Sequence, residues 1–321
     1  MTTVWGLVDD RTGHRGQVLG VIAKLGEPYM LRRMEYNPLS HLPTALLGAT
    51  LWSLDAPSRE RLEPPYPDLV IAAGRRMVPV LRALKKRSPA TRMVYLMWPE
   101  VTQDIDLIAV PEHDGVAPGT NVITTLAPVH AVTADTLTAA KAVWKPQFAH
   151  LPRPHIGVCI GGDTKQGRYT AAHWRELISR ARALAGKGSL LITTSRRTPV
   201  EALDLLAPLL QMPHLLYRWD TDKDNPYLGI LACADGIIVT GDSLSMCAEA
   251  CVSGKPVFVY ASDAVAAPKH LRLHGALYAR GMAKPLDDFA TLDWQSTTPL
   301  DDAGYVATQI RTRFPEIFTP A

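Results

Sequence analysis

A turn of small polar residues stands between an apolar run and a helix in the stretch VTGDSLSMCAEACVSGKPVFVY, residues 239–260. Gly241, Asp242 and Ser243 form this turn, and the helix predicted after it has free backbone N–H groups at its start. Such groups bind phosphate, because the positive end of the helix dipole points at the ligand. Ser245 adds a hydroxyl at the same place. The turn therefore predicts contact with the phosphates of a ligand.

One carboxylate, Glu249, lies inside the otherwise uncharged helix predicted over 244–252. Ser245 and Glu249 are four residues apart and share a helix face. A carboxylate on the ligand side can accept hydrogen bonds from two neighbouring hydroxyls, which is the geometry of a ribose diol. The alternative is an exposed Glu on a surface helix. The Met, Cys, Ala and Val residues around Glu249 indicate burial, and a buried carboxylate needs a partner, so we expect Glu249 to hold a ribose.

A glycine-rich loop, CIGGDTKQGRYT at 159–170, lies between another predicted strand and helix. Gly162, Gly167 and Arg168 follow the spacing of a P-loop, but Arg168 replaces the lysine and Tyr169 replaces the hydroxyl that would hold Mg²⁺. A P-loop is therefore not predicted. The loop still offers N–H groups and cations to phosphates, and a plain polar loop is the alternative. The donor-binding candidates here are Gly161, Gly162, Asp163, Lys165 and Arg168.

Paired arginines end a third predicted strand in TTSRRTP, residues 193–199. Arg196 and Arg197, with Ser195 before them, lie where the carboxyl end of a parallel strand meets its loop. Guanidinium groups bind phosphate bidentately, so this pair suits a pyrophosphate. A solvated pair of surface arginines is the alternative. We include Ser195, Arg196 and Arg197 in the predicted donor site.

The first loop of the chain, VDDRTGHRGQVLG at 8–20, also joins a strand to a helix. Its glycines do not have the GxGxxG spacing, which argues against a dinucleotide-binding dehydrogenase. His14 with Asp9 or Asp10 forms a candidate acid–base pair, and His14 is the predicted catalytic base. In the alternative, Gly13 makes a turn and His14 is a surface residue. The other acceptor-side candidates in this loop are Gly13, Gly16 and Gln17.

Two further loops in the N-terminal half supply charged candidates on the acceptor side. Arg75 and Arg76 follow a predicted strand within AAGRRMVPVLRALKKR, residues 72–87, whose helix carries basic residues. This helix would hold an acidic acceptor or touch an anionic membrane, and a solvated helix face is the alternative. Glu112 and His113 follow a later strand. Because adjacent residues cannot all face one point, we predict a ligand-lining loop there and no metal site.

Short apolar runs alternate with amphipathic segments along the chain, which predicts parallel sheets with crossover helices. A proline-rich segment, KPQFAHLPRPH at 145–155, interrupts the alternation and indicates an interdomain linker. We therefore predict two doubly wound α/β domains, 1–148 and 152–300, facing a cleft between the carboxyl ends of their sheets. The tail 301–321 is predicted to form a C-terminal helix that packs back on the N-terminal domain.

The composition is that of a globular protein. The chain has 321 residues, of which 47% are hydrophobic and 20% charged, with a formal net charge of +3. This mild excess suits anionic ligands and does not indicate a nucleic-acid binder. No signal peptide or transmembrane segment is predicted, and the cysteines have no metal-ligand spacing. We therefore expect a cytoplasmic protein with reduced thiols, no bound metal or cofactor, and at most peripheral contact with the inner membrane face.

These motifs resemble those of two groups of known proteins. The strings GHRGQVLG, PDLVIAAGRR, PEHDGV, GVCIGGDTKQGRY, TTSRRTP and TGDSLSMCAEACVSGKPVFVY look like those of the "elongated mitochondria" family and its bacterial relatives, over nearly the whole chain. The layout also resembles GT-B glycosyltransferases, in particular the UDP-GlcNAc transferases that make lipid II. Their GGS-type loop is similar to Gly161–Asp163, and their segment with a ribose-binding Glu is similar to Ser243–Glu249.

The resemblance implies a GT-B-like fold, with two Rossmann-like domains, and a glycosyltransferase. The enzyme would move a sugar from a nucleotide-sugar donor, with a UDP-sugar preferred, to a glycan or lipid-linked acceptor such as the lipopolysaccharide core. The donor would lie on the C-terminal domain and the acceptor on the N-terminal domain. Plant members of the family recruit a fission dynamin, so a non-catalytic scaffold is the alternative. A nucleoside-diphosphate-sugar epimerase is a weaker one, because the chain has neither GxGxxG nor a YxxxK pair after a Ser.

Overall fold

The structure is a computed structural model that describes residues 2–219, 224–262, 265–287, 290–296 and 299–318. The chain divides into two compact units, the first formed by Met1–Ala131 with Asp301–Ala321 and the second by Val132–Leu300. Within the described ranges, no helix combines the length and the apolar character needed to cross a bilayer.

The first unit is built on one parallel β-sheet. Its strands are β1 (Val4–Val8), β2 (Tyr29–Arg33), β3 (Leu69–Ala73), β4 (Arg92–Leu96), β5 (Leu107–Pro111) and β6 (Val122–Thr125). They pair in parallel in the order β2-β1-β3-β4-β5-β6. The helices, numbered along the whole chain, are α1 (Thr12–Leu25), α2 (Thr44–Leu47), α3 (Ala56–Glu60), α4 (Val78–Arg87) and, from the far end of the chain, α11 (Asp302–Arg313).

The second unit repeats this plan. Its strands are β7 (His155–Cys159), β8 (Ser189–Thr193), β9 (His214–Tyr217), β10 (Gly236–Thr240), β11 (Val257–Tyr260) and β12 (Lys284–Pro285). They form a parallel sheet in the order β12-β11-β10-β7-β8-β9. The helices are α5 (Ala134–Phe148), α6 (Ala171–Ala185), α7 (Val200–Leu206), α8 (Tyr227–Cys233), α9 (Leu244–Cys251) and α10 (Pro268–Ala279).

The central strands of both sheets are buried along their whole length. Every residue is buried in β1 and β3 of the first unit and in β7, β8 and β10 of the second. Helices cover both faces of such a parallel sheet, which is why these strands are continuous apolar runs and not alternating ones. The two parallel α/β sheets predicted from those runs are confirmed.

The helix α11 packs on α1 in the first unit, although the two helices lie at opposite ends of the chain. Val306 of α11 is buried in the same cluster as Val18 of α1. The carboxylate of Asp302 accepts hydrogen bonds from the backbone N–H groups of Leu126 and Ala127, at 3.1 and 2.8 Å. The start of α11 is thereby fixed to the residues that follow β6.

The helix α5 belongs to the second unit, where it packs on α8. Gly229 of α8 makes room for this contact, because a Cβ there would lie 2.2 Å from Cγ of Trp144 on α5. The helix runs through Pro146, within the proline-rich segment that sequence analysis assigned to a linker. The compact units thus divide the chain after 131, ahead of the boundary expected at 148.

Candidate functional site

Three loops of the second unit follow neighbouring strands of its sheet. The strands β10, β7 and β8 lie side by side, with β7 in the middle. The loops that begin at Ile160, Thr194 and Gly241 follow their carboxyl ends. Carboxyl ends of parallel strands share one edge of the sheet, which is where doubly wound folds bind ligands. The donor-binding residues predicted from three separate motifs lie in these loops or on α9.

Gly161 and Gly162 lie too close to the neighbouring loops for any other residue type. A Cβ on Gly161 would lie 2.1 Å from Oδ2 of Asp242, and one on Gly162 would lie 2.0 Å from the carbonyl oxygen of Arg197. The N–H of Gly161 donates to Oγ1 of Thr240 at 2.7 Å. The two glycines therefore allow the three loops to touch, quite apart from any contact with a ligand.

The carboxylate of Asp242 connects these loops. It is buried and accepts hydrogen bonds from the N–H of Gly162 at 2.9 Å, the hydroxyl of Tyr169 at 3.1 Å and Nη2 of Arg197 at 2.6 Å. A buried carboxylate is tolerated when its charge is paired and its lone pairs are bonded. Burial and the neighbouring Asp242 raise the pKa of Tyr169 above its usual range, so the phenol stays a donor. Asp242 and Arg197, predicted as ligand contacts, bind each other.

Hydroxyl groups fix the backbone of the glycine loop. Oγ of Ser195 donates to the carbonyl oxygen of Gly161 at 2.6 Å, and Oγ1 of Thr198 donates to the same oxygen. The N–H of Arg197 donates to Oγ of Ser195 at 3.2 Å. Ser195 was predicted as a donor-binding residue, and its hydroxyl is bonded within the protein. Its role in the structure is to hold the glycine loop against the loop after β8.

Glu249 lies on α9 and is half-buried. The hydroxyl of Tyr227, at the start of α8, donates to Oε2 of Glu249 at 2.5 Å. Burial raises the pKa of Glu249 to about 7, and the Tyr227 hydrogen bond opposes this rise. Burial and the neighbouring Glu249 also raise the pKa of Tyr227 well above its usual range. Among the described residues, Oε1 of Glu249 has no hydrogen-bond partner, so that oxygen can accept from a ligand hydroxyl.

The start of α9 is capped by Ser243. Its Oγ accepts a hydrogen bond from the N–H of Met246 at 3.4 Å. The remaining N–H groups of a first helical turn have no partner inside the helix. Ser245 is half-buried in this turn, one helical turn before Glu249. The turn can therefore present backbone donors and a hydroxyl to an anionic group.

The cations predicted for the donor site lie at its exposed edge. Lys165, Arg168 and Arg196 are all exposed. Nε of Arg168 lies 3.6 Å from Oδ2 of Asp163. Lys165 and Arg196 form no hydrogen bond or ion pair with any residue that the structure describes. Within the part of the chain that the structure describes, Lys165 and Arg196 are therefore not committed to a carboxylate as Arg197 is.

Some residues of this network were not predicted. Tyr227 and His274 lie on α8 and α10, two helices that the sequence pattern did not reveal. His274 packs behind Gly241, where a Cβ would lie 2.6 Å from its Cε1, and burial lowers the pKa of His274 to about 4. Thr198 lies within the motif TTSRRTP, and Tyr169 lies within CIGGDTKQGRYT. A hydroxyl next to a glycine loop was the feature that could have identified these two residues as part of the network.

In the first unit, Asp9 and His14 form a hydrogen-bonded pair at the start of α1. Nδ1 of His14 lies 3.2 Å from Oδ1 of Asp9, and the N–H of Arg11 donates to the same oxygen at 3.1 Å. Nη2 of Arg76 donates to Oδ2 of Asp9 at 3.0 Å and to Oδ1 of Asp10 at 2.6 Å. Although burial opposes it, the contacts with His14, Arg11 and Arg76 hold the pKa of Asp9 below its usual range. An ionised Asp9 fixes Nδ1–H of His14 and leaves Nε2 able to take a proton.

Gly74, after β3, completes this cluster. Its φ of +94° lies in the left-handed region, and a Cβ would come within 2.4 Å of Nδ1 of His14. The guanidinium of Arg76 stacks over the ring of Tyr36, 4.1 Å from its centroid. Gly74 thus lets the backbone approach the imidazole, and Tyr36 holds the arginine that binds Asp9.

The other acceptor-side candidates are dispersed around the first unit. Arg75 donates to the backbone carbonyls of Leu42 and Ser40 at 3.0 and 3.1 Å, so it supports the 38–47 segment. Glu112 is exposed, whereas its neighbour His113 is buried. Gln17 lines a small cavity beside the ends of the strands β4, β5 and β6. At Gly13 and Gly16 of α1, the described residues leave a Cβ open space.

The basic residues of α4 are partly neutralised. Nε of Arg82 lies 3.2 Å from Oδ2 of Asp104, and Nζ of Lys85 lies 2.9 Å from Oδ2 of Asp106. Lys86 is exposed and has no ion pair with the described residues. The free basic face expected on this helix is therefore reduced, because several of its cations are paired.

The titratable side chains form no metal cage in the described ranges. No group of three or more His, Cys, Asp or Glu side chains is placed there to hold a metal ion. All four cysteines are buried free thiols. The arrangement instead offers backbone N–H groups, a carboxylate and exposed cations in the second unit, and a histidine–aspartate pair in the first.

Solved structures share this fold at low sequence identity. UDP-GlcNAc 2-epimerase from Neisseria meningitidis bound to UDP-GlcNAc aligns with a TM-score of 0.52 and 14% identity, over 98% of this chain and 93% of that one. MurG from Acinetobacter baumannii aligns with a TM-score of 0.50 and 13% identity, over 99% and 93%. This similarity of fold confirms the predicted GT-B-like class.

Sequence similarity identifies the family. Mitochondrial fission protein ELM1 of Arabidopsis thaliana is 29% identical over 281 residues, which cover 79% of this chain and 65% of the Arabidopsis protein. The chain thus spans slightly less than two thirds of the length of that relative. The family described as "Mitochondrial fission ELM1" matches residues 12–314. The chain therefore belongs to the mitochondrial fission ELM1 family.

Proposed function

We propose that this protein transfers a sugar from a nucleotide-sugar donor, in the first place a UDP-sugar, to a hydroxyl of a glycan or lipid-linked acceptor. The lipopolysaccharide core is one acceptor of that kind. The observation that carries the proposal is the group formed by Gly161, Gly162, the start of α9 and Glu249 at the carboxyl edge of the second sheet. The likeness to an epimerase bound to UDP-GlcNAc is one of fold, and it makes UDP-sugars the first donors to test.

In this proposal the donor binds to the second unit. Oε1 of Glu249 accepts a hydrogen bond from a ribose hydroxyl, and Oε2 stays bonded to Tyr227. The first N–H groups of α9 and the hydroxyl of Ser245 face the diphosphate, together with Lys165 and Arg196. These groups stabilise the charge that develops on the leaving nucleoside diphosphate, as preorganised donors and cations do.

The acceptor binds to the first unit, where His14 acts as the base. The acceptor oxygen forms a bond to the anomeric carbon while the bond from that carbon to the donor phosphate breaks. Nε2 of His14 takes the proton of the acceptor hydroxyl. Asp9 holds Nδ1–H and stabilises the imidazolium that results, and Arg76 keeps Asp9 ionised.

The first test is a thermal-shift screen of nucleoside diphosphates and nucleotide sugars. A ligand that binds only the folded chain adds about 2.7 kcal/mol of stability at one hundred times its dissociation constant, which raises the melting temperature by several degrees. We expect UDP and at least one UDP-sugar to do so at millimolar concentration. If no nucleotide raises the melting temperature, the donor site is refuted.

A second candidate is a non-catalytic interaction role, favoured by the fission name of the Arabidopsis relative. The chemical fate of the donor distinguishes the catalytic role from the non-catalytic one. Incubation with a radiolabelled nucleotide sugar and a bacterial glycolipid extract should give free nucleoside diphosphate and labelled glycolipid. Recovery of an intact donor that nevertheless stabilises the fold would favour the scaffold. Recovery of an epimerised donor would favour an epimerase.

A further inference from the structure

A surface of the first unit exposes large apolar side chains within a short stretch of chain. Leu46 is 76% exposed and Trp52 is 73% exposed, with Leu39 at 44% and Leu42 at 42%. All four belong to the segment 38–52 between β2 and β3. Single exposed leucines are common on protein surfaces, but several together with a tryptophan mark a binding surface.

The segment is held in place by hydrogen bonds. Nδ2 of Asn37 donates to the carbonyl oxygen of Trp52 at 2.6 Å, which ties the two ends of the segment together. The N–H of Thr50 donates to the carbonyl oxygen of Pro79 at 3.2 Å, and Arg75 bonds the carbonyl of Leu42. The exposed side chains therefore stand on a fixed backbone, and their exposure is a property of the fold.

Several cations line a cavity beside Trp52. A cavity of about 410 Å³ beside Trp52 is lined by Arg59, Lys86 and Arg87. Lys86 and Arg59 are exposed and have no ion pair with the described residues, and Arg87 has only an exposed pair with Glu63 at 3.4 Å. No carboxylate lies among the described residues that line this cavity. The surface thus combines apolar groups that can insert with positive charge beside them.

We propose that this surface, formed by Leu39, Leu42, Leu46, Trp52, Arg59 and Lys86, docks on an anionic lipid bilayer. Leucine and tryptophan side chains enter the boundary between headgroups and acyl chains, where tryptophan is favoured. Arg59 and Lys86 bind the negative headgroups through their charged ends. The cavity beside Trp52 has the charge to receive one such headgroup.

The charge favours a bilayer over a second copy of this chain. A symmetric pair would bring the same patch together from both copies and place Arg59 and Lys86 near their counterparts. Like charges brought together oppose association, and lysine is depleted in protein interfaces. The docking does not depend on sugar transfer, because none of its residues belongs to the proposed donor or catalytic groups.

The test is sedimentation of the full chain with vesicles that contain no glycan acceptor. Vesicles of phosphatidylcholine alone are compared with vesicles of phosphatidylcholine and phosphatidylglycerol. We expect binding to the anionic vesicles that weakens as salt is raised, and several-fold weaker binding to the neutral ones. Absence of binding to both kinds of vesicle, or equal binding to both at all salt concentrations, overturns the proposal.

Variants test which residues form the vesicle-binding surface. The double variant Leu46→Ser with Trp52→Ser should lose vesicle binding, and Lys86→Gln with Arg59→Gln should lose the preference for anionic vesicles. Leu271→Ser, at a leucine that is 46% exposed on α10 of the second unit, is the matched control and should bind as the wild type does. All changes are at exposed residues, so the melting temperature should be unchanged. Wild-type vesicle binding by the Leu46 and Trp52 double variant refutes the assignment. It is also refuted if light scattering without lipid shows that the wild-type chain is a dimer and the double variant a monomer.

Discussion

The hydroxyl of Tyr227 donates a hydrogen bond of 2.5 Å to Oε2 of Glu249. One oxygen of the carboxylate is therefore held by the protein, and the other has no partner among the residues that the structure describes. The phenol orients the carboxylate and favours its ionised form, while burial disfavours that form and raises the pKa to about 7. Ligand binding at this site should depend on the balance between these two effects.

Nucleotide binding should require the Glu249 carboxylate. We expect Glu249→Ala to abolish the thermal shift produced by UDP, because the ribose loses its acceptor, while the unliganded protein still folds. The measurement is the melting temperature with and without UDP. Glu201→Ala, at an exposed carboxylate on α7, is the control and should keep the full shift. A full shift in Glu249→Ala would remove this residue from the site.

Nucleotide affinity should rise between about pH 6 and pH 8, since Glu249 becomes a full acceptor as it ionises near its pKa of about 7. Folding stability should change in the opposite direction as the pH rises. The pKa in the folded chain is above the ordinary value of 4.5, so the folded state binds this proton more tightly, and stability falls as the pH rises from 4.5 to about 7. Isothermal titration of UDP across this range measures the first effect. In Glu249→Gln, the part of the pH dependence of UDP affinity that comes from Glu249 should be lost. The pH dependence that remains is the part contributed by the phosphates of UDP.

Tyr227→Phe should shift that pH profile upward. Removal of the phenol hydroxyl leaves burial unopposed, so the pKa of Glu249 rises and the ionised acceptor forms only at higher pH. The same titrations, repeated on the variant, measure the displacement of the midpoint. Tyr305→Phe, at an exposed tyrosine of α11, serves as the control. An unmoved midpoint would show that the hydrogen bond does not tune the carboxylate.

Gly162→Ala should destabilise the second unit by about 1–3 kcal/mol, because its Cβ would meet the carbonyl oxygen of Arg197 and the loops would have to separate. Gly13→Ala is the matched control. Its Cβ has open space within α1, and alanine favours helix by about 0.5–1 kcal/mol over glycine. Urea unfolding of the two variants should therefore give changes of opposite sign. A stable Gly162→Ala would contradict the close contact between loops.

His14→Ala should greatly slow sugar transfer without weakening the binding of the donor. Loss of a general base lowers turnover by about 100- to 10,000-fold. The donor groups lie in the second unit, so the thermal shift with UDP should be unchanged. The assay is release of UDP from the donor found in the screen, in the presence of acceptor. His150→Ala, at an exposed histidine, should behave as wild type. Wild-type turnover of His14→Ala would leave the base to be sought elsewhere.

The parts of the fold that are dominated by burial could be predicted from the sequence. The strands β1, β3, β7, β8 and β10 are continuous apolar runs, and such runs have few alternatives in an α/β chain. The edge strand β2, YMLRR, was missed because it is short and largely exposed, and its apolar residues do not alternate with polar ones. The helix α8 was missed because its seven residues give too short a window for helical periodicity.

Contacts within the candidate site could be predicted where the residues are local in sequence. Asp9 and His14 are five residues apart across one strand end, so their pairing was accessible from the motif. Gly74 and Arg76 join that pair from a different strand, and only the sheet order brings them there. The Glu249 interaction with Tyr227 likewise joins two helices across 22 residues. Such contacts depend on tertiary packing, which no spacing rule records.

The packing of α11 against α1 makes the second unit an insertion within the first. As the chain leaves a ribosome, every strand of the first sheet emerges before the second unit, yet the buried cluster around Val18 of α1 is completed only when Val306 follows that unit. The inserted unit, by contrast, emerges with all of its own elements in one continuous stretch, Val132–Leu300. The unit with the predicted base is thus completed after the unit with the proposed nucleotide site.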